Sequence, residues 1–236
     1  AEDSSIIAAG AKIVVGNMPT RSEDFNLKIT SKPVDAVLDF VTDQLHEGVD
    51  YGSLDNQIIT PTRVGWVGSD ALNGAVQSML QPATQKNTYL ERNKWVDNQR
   101  FLVYVGDKVL CTKNNYGLEV FNGETGIILE ITNTDSIVVD FGDKTTEIPI
   151  SQAVEGRGGE VYYINPQKDI DLAYLITTHK SQGSEYERVL YVMNSSRAYL
   201  LNRKNFYTGI SRARKQVTVM TDQKGLTLSL TKRGDN

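Results

Sequence analysis

The stretch ITTHKSQGSEYERVLYV, residues 176–192, decides how this chain is read. Its flanks are apolar: Leu172 to Ile176 predicts one strand and Val189 to Val192 another. Between them Thr177, Thr178, His179, Lys180, Ser181, Gln182, Ser184 and Glu185 surround a single glycine, Gly183. In an open α/β sheet, ligands bind outside the carboxyl ends of the parallel strands, so a polar loop leaving such a strand is a candidate ligand loop. Thr177, Thr178, His179 and Ser181 can donate to phosphate oxygens, and Gly183 permits positive φ or close approach. Glu185 only accepts hydrogen bonds and suits a sugar hydroxyl. The plainer alternative is a capped helix start between two strands.

Two further blocks have the same strand, polar turn and helix texture. In NRKNFYTGISRARKQVTVM, residues 202–220, Phe206, Tyr207, Ile210 and Ala213 share one helical face, while Thr208, Ser211 and Arg212 lie off it. Gln216 to Met220 then predicts a strand. An arginine held near the end of a packed helix can stabilise charge on a transferring phosphoryl group. It can equally serve the helix C-terminus alone. In QIITPTRVGWVGSDALNGAVQ, residues 57–77, Gln57 to Thr60 predicts a strand stopped by Pro61, and Ser69 a cap for a helix carrying Leu72, Ala75, Val76 and Met79. Thr60, Thr62 and Arg63 could there face a phosphate.

Upstream, Val34, Val37, Leu38, Val41 and Leu45 predict a helix over 33–46, with Pro33 in its first turn and Gly48 at its end. Near residue 98 the texture changes. FLVYV, KVLCTK, EVF, GIILEI, SIVVDF and TEIPI are short β-type runs separated by turn residues such as Gly106-Asp107, Asn122-Gly123 and Gly142-Asp143. Closely spaced strands of this kind predict a small antiparallel barrel, left through EGRGGE at 155–160. The expected fold class is α/β: one parallel-sheet domain, 1–97 and 166–236, interrupted by a small β-barrel at 98–165.

Bulk properties bound the function. The single cysteine, Cys111, excludes an internal disulfide and argues against a cysteine-based zinc site. No metal site is expected. No apolar run approaches the ~18 residues of a membrane span, and the N-terminus lacks the pattern of a secretory signal, so a cytoplasmic protein is expected. The net charge of −4 argues against a uniformly basic surface, yet residues 188–215 hold seven Arg and Lys and no Asp or Glu. A local basic face of that kind is enough for nucleic acid, and equally fits an ordinary solvated surface.

Taken together, the blocks resemble superfamily 1 helicases of the RecD and Dda type. ITTHKSQGSEYERV is similar to their motif V, YTGISRARKQVTV to motif VI and QIITPTRVGWVGSDALN to the motif IV region, while VGDKVLCTKNNYGLEVFNGETGII resembles their barrel. The resemblance implies a second RecA-like domain carrying an SH3-like barrel. It implies that Arg212 reaches ATP across a cleft between two RecA-like domains. Gln182, Gly183 and Glu185 then belong to the nucleotide side, with Arg63, which could also serve the other side. Thr178, His179 and Ser181 belong to the single-stranded DNA side, with Thr60 and Thr62 beside them. ATP with Mg²⁺, single-stranded DNA and a first RecA-like domain are the implied partners, and the family suggests 5′→3′ movement.

The string G-x-x-x-x-G-K-[ST], whose backbone cradles ATP phosphates, does not occur in the sequence. Asp140 follows an apolar run but precedes Phe141, and is read as part of a plain barrel strand. With Ala1 in place of Met at the start, these features lead to the expectation of the C-terminal part of an ATP-dependent DNA helicase, catalytically inactive alone. The alternative is a stand-alone single-stranded nucleic-acid-binding module without a motor. A weaker option is a peptide-docking role for the barrel.

Overall fold

A computed structural model describes residues 4–65, 68–82, 85–91 and 100–234. Ala1, Trp66 and Val67 of the 57–77 block, and the expected barrel start at 98, lie outside the described residues. Two compact units emerge, one formed by Ala1–Met79 with Tyr174–Asn236, the other by Leu80–Ala173.

In chain order the first unit begins with α1 (Ser5–Val14), β1 (Phe25–Ile29), α2 (Pro33–His46), β2 (Asn56–Thr60) and α3 (Ser69–Leu80). The second unit contributes β3 (Asn87–Glu91), β4 (Arg100–Tyr104), β5 (Lys108–Cys111), β6 (Thr125–Ile131), β7 (Ile137–Asp140), β8 (Thr145–Ile148), β9 (Gln152–Glu155), β10 (Val161–Ile164) and β11 (Ile170–Leu172). The chain then returns to the first unit with β12 (Leu175–Thr177), β13 (Tyr186–Val192), α4 (Arg203–Ile210), β14 (Ala213–Thr221) and α5 (Gln223–Thr231).

The first unit is built on a five-stranded sheet, order β1-β14-β13-β2-β12, with every pair parallel. Its central strand, β13, is buried from Val189 to Val192 on both faces, as expected where helices cover a parallel sheet. The helix over Pro33–His46 has the expected limits, with Val37 and Val41 in the core and Leu45 exposed. α3 starts at Ser69 itself, whose amide donates to the Thr62 carbonyl at 3.2 Å, so this serine opens the first turn rather than capping it.

The second unit has a five-stranded sheet, order β11-β5-β6-β7-β8, with all pairs antiparallel, and two hairpins, β3–β4 and β9–β10. Val109, Ile128, Ile137, Val139 and Ile148 fill its core. Asp140 ends β7 inside this sheet, as the plain-strand reading has it. The α/β class, with a parallel sheet and a small antiparallel barrel, is thus observed.

Several local expectations fail for identifiable reasons. The single strand expected over Leu172–Ile176 is two strands: Leu172 closes β11, which pairs with β5, and Leu175 opens β12, which pairs with β2. A continuous apolar run cannot show which sheet receives each half. EVF forms no strand; Val120 makes only an isolated bridge to Asn115. EGRGGE is the turn of the β9–β10 hairpin, closed by Gly156 N–H donating to the Glu160 carbonyl at 2.7 Å. Ala213 leaves the expected helical face, because α4 ends at Ile210 and Ala213 begins β14. Among the described residues, no helix is long and apolar enough to cross a membrane.

Candidate functional site

The polar loop 178–185 leaves the carboxyl end of β12 and delivers the chain to the amino end of β13, two strands that flank β2. It therefore carries side chains to both ends of the sheet. Thr177 stands opposite Thr60 in the β12–β2 register, and Thr178 N–H donates to the Thr60 carbonyl at 3.0 Å. The Thr178 hydroxyl lies near the Thr60 carbonyl, and Thr178 partly opposes the rise that burial gives the Tyr191 phenol. The Ser181 hydroxyl donates to the Thr178 carbonyl at 2.7 Å. Thr62 folds back on its own turn, donating to the Val64 carbonyl and accepting from the Val64 amide. Thr60, Thr62, Thr178 and Ser181 are all buried. The structure brings Thr60, Thr178 and Ser181 together as an internal brace of the loop, Thr62 instead ties up its own β2–α3 turn, and His179 is the exposed member of the expected DNA side.

The other end of the loop meets the end of α4. Tyr186 N–H donates to the Arg212 carbonyl at 2.8 Å, which fixes Arg212 beside the start of β13. The half-buried guanidinium donates from Nε to the Thr208 carbonyl (3.2 Å), from Nη1 to the Ser184 carbonyl (3.4 Å) and from Nη2 to Ser211 Oγ (3.2 Å). All three acceptors are neutral, so these bonds orient the cation without cancelling its charge. Burial raises the Tyr186 phenol above its ordinary range, opposed by its bond to Ser184 and by Arg212 nearby. Gln182, Gly183 and Glu185 are exposed on the same loop as Ser184. Gly183 has φ of +84° and open space where a Cβ would stand, so its glycine serves the backbone conformation and not packing.

Arg63 sits in the β2–α3 turn, exposed, with Nε 3.3 Å from Asp70 Oδ2. An exposed pair of this kind contributes at most about 1 kcal/mol and leaves the arginine free to exchange partners.

Three supporting residues were not anticipated. Asn73 Nδ2 donates to the Leu175 carbonyl and its Oδ1 accepts from Leu175 N–H, both at 2.9 Å, so a side chain of α3 pairs the free edge of β12. A polar residue beside Leu72 on the buried face of a helix was the signal for it. Gly209 lets α4 approach β13: a Cβ there would lie 2.1 Å from the Tyr191 ring. Tyr191 in turn donates from its hydroxyl to the Asn205 carbonyl at 3.2 Å.

Comparison with known proteins identifies relatives of the fold. The ATP-dependent RecD-like DNA helicase SH3 domain family matches residues 72–141, and the UvrD-like helicase C-terminal domain family matches residues 172–220. The ATP-dependent RecD2 DNA helicase of Deinococcus radiodurans is 31% identical over 158 residues, covering 67% of this chain and 19% of the relative. The RecBCD enzyme subunit RecD of Mycolicibacterium smegmatis is 30% identical over 166 residues, covering 70% of this chain and 25% of the relative. The chain thus spans about a fifth to a quarter of these relatives. The crystal structure of Pif1 helicase from Bacteroides in complex with ADP-AlF3 and ssDNA shares the fold, with a TM-score of 0.53 at 17% identity over 93% of this chain and 49% of that one.

Proposed function

Because the chain corresponds to the C-terminal part of the RecD-like superfamily 1 helicases, we propose that it is the second motor domain of an ATP-dependent DNA helicase, one that couples ATP hydrolysis to 5′→3′ movement on single-stranded DNA. The observation that carries this reading is Arg212: a guanidinium held by three neutral acceptors at the junction of α4 and the 178–185 loop. Such a group is oriented and still fully charged, which suits stabilisation of a transferring phosphoryl group. In this proposal Gln182, Gly183 and Glu185 line the nucleotide side with Arg212, and Arg63 exchanges Asp70 for a phosphate.

The loop's other end serves the strand. Since Thr60, Thr62, Thr178 and Ser181 are buried, they would shape the loop and the neighbouring β2–α3 turn rather than touch DNA themselves, and His179 offers an exposed donor. Bound ATP would supply the phosphoryl group whose charge Arg212 neutralises. A first RecA-like domain of the parent protein would supply the phosphate loop and the Mg²⁺ ligands, and the barrel read at 98–165 would stand as an insertion in the motor domain. The isolated chain is then folded but inactive, because phosphoryl-transfer catalysis is mostly positioning by both halves of a site.

The test is Arg212→Ala in the parent helicase. ATPase turnover should fall by about 10³–10⁵, the range found for arginines that stabilise phosphoryl transfer, while single-strand binding persists. Turnover within about tenfold of the unmutated enzyme would remove Arg212 from the mechanism. Robust ATP hydrolysis by the isolated chain would overturn the two-domain reading altogether.

A further inference from the structure

Helix α1 is apolar on two faces. Ile6, Ala9, Gly10 and Ile13 are buried at helical spacing, and α4 packs close enough that a Cβ on Gly10 would lie 2.9 Å from the Tyr207 ring. Ile7, Ala11 and Val14 form a second stripe at the same spacing, yet Ile7 is 68% exposed and Val14 53%. Lys12 is the single charged residue in the helix. A helix that is apolar all round is normally covered on every side, and an exposed apolar patch marks an interaction surface.

The second stripe lines one groove, and its last residue, Val14, also borders a second. One, of about 600 Å³, runs between Ile7, Val14 and the α4 residues Tyr207 and Ile210, and reaches Ser211 and Arg214. The other, of about 640 Å³, is bounded by Val14, Val15, Tyr207, Arg203, Lys204 and Arg233. Val14 and Tyr207 border both grooves. Among the described residues, no Asp or Glu lines either groove, although the chain as a whole carries a net charge of −4. Asp24, which accepts from Ser5 at 3.1 Å, sits at the amino end of α1, where the first groove reaches Ser4, but does not line it. Arg203 is locked in place over Gly16 by a bond to the Leu230 carbonyl at 2.6 Å, whereas Lys204 and Arg233 are exposed.

We propose that this face of α1 and α4 docks an acidic amphipathic segment of a partner protein, its aliphatic side chains entering the grooves and its carboxylates meeting Arg214, Lys204 and Arg233. Helix-in-groove recognition uses this combination of an apolar floor and charged margins. Nucleic acid fits less well, because the exposed floor is mainly aliphatic, with Ile7, Val14 and Val15, and among the described lining residues Tyr207 is the one ring on which a base could stack. A second copy of the chain would set one cationic margin against another, which opposes association.

A fluorescent synthetic peptide of about four helical turns, with Leu at i, i+3 or i+4, and i+7 spacing and Glu elsewhere, provides the probe. Binding to the chain, followed by anisotropy, should be saturable and weaken severalfold between low and high salt. Val14→Ser should weaken it about tenfold, and so should Lys204→Glu combined with Arg233→Glu. All three residues are exposed, so the melting curve should not move. The proposal fails if the acidic peptide does not bind, or if the same peptide with Lys for Glu binds equally. It also fails if an oligo-dT strand binds more tightly and displaces the peptide, which would make this a nucleic-acid face. Self-association abolished by Val14→Ser in sedimentation would make it a dimer face and likewise overturn it.

Discussion

Replacing Gly209 with Ala should destabilise the first unit, against the usual direction for a glycine inside a helix. On propensity alone the change gains about 1 kcal/mol. The new methyl, however, would lie 2.1 Å from Tyr191 Cε2 and 2.4 Å from Cδ2, where carbon atoms normally approach to about 3.5–4.0 Å. The ring cannot easily yield. Tyr191 is only 1% exposed, lies on the central strand of the sheet, stands 5.8 Å from the Phe206 ring and holds the Asn205 carbonyl through its hydroxyl. Overpacking costs about 1–3 kcal/mol and loss of the tyrosine hydrogen bond about 1 more. The net is a loss of about 1–3 kcal/mol, read as a lower urea midpoint. Gly74→Ala is the matched control: Gly74 is exposed on α3 with open space around it, and should gain about 0.5–1 kcal/mol. If Gly209→Ala is neutral or stabilising while Gly74→Ala behaves as expected, the close approach of α4 to β13 is misread. The Gly209 carbonyl also accepts from Arg212 N–H at 3.4 Å. In the parent helicase, therefore, the same substitution should lower ATPase without touching the nucleotide.

Two further outcomes follow from buried groups. Asn73→Leu removes both bonds to the backbone of Leu175; with a buried amide and carbonyl unpaired it should cost about 2–4 kcal/mol, and hydrogen exchange at Leu175 should accelerate more than at Val189. The Cys111 thiol is pushed up from about 9 to about 12 by burial, with Glu124 and Asp169 adding to the rise and Lys144 opposing it. Since the thiolate is the reactive form, alkylation at pH 8 should be about a thousandfold slower than for a free thiol, and reach ordinary rates in denaturant; rapid labelling of the folded chain would refute the burial.

What was legible in the sequence was what local periodicity carries. α2 could be read to its limits because Val37 and Val41 alternate with charged positions, and β5 to β8 because turn residues punctuate them. α1 was not read as a helix: SIIAAGAKIV is apolar on both sides, so no single face stands out. β1 was missed because FNLKI is short and its partner, β14, lies at the other end of the chain. Of the candidate site, the residue types in the 178–185 loop and Arg212 were legible, but not which of them point inward. Thr60, Thr62, Thr178 and Ser181 read as donors to a ligand, and in the fold Thr60, Thr178 and Ser181 brace the loop while Thr62 closes the β2–α3 turn. Short hydroxyl side chains bond local backbone as readily as phosphate, and sequence does not separate the two uses.

Tyr191 joins the two ends of the proposed site. Its phenol, raised above the ordinary range by burial and partly lowered by Thr178 at the loop's start, donates to the Asn205 carbonyl of α4. Its ring fills the space that Gly209 leaves open, one turn from Arg212. A shift of α4 would therefore press on a side chain that also influences the start of the loop. Spatial contiguity is not coupling by itself, but a double-mutant cycle measures it. Tyr191→Phe keeps the ring and deletes the hydroxyl, so stability should fall by only about 1 kcal/mol. If the phenol transmits, the stimulation of ATPase by single-stranded DNA in the parent should drop several-fold in Tyr191→Phe while DNA-free turnover stays close to normal. Thr178→Val should give the same loss, and the pair should lose no more than either alone. Additive losses would make Thr178 and Tyr191 independent braces, and the motor would have to link its fuel to its track by another route.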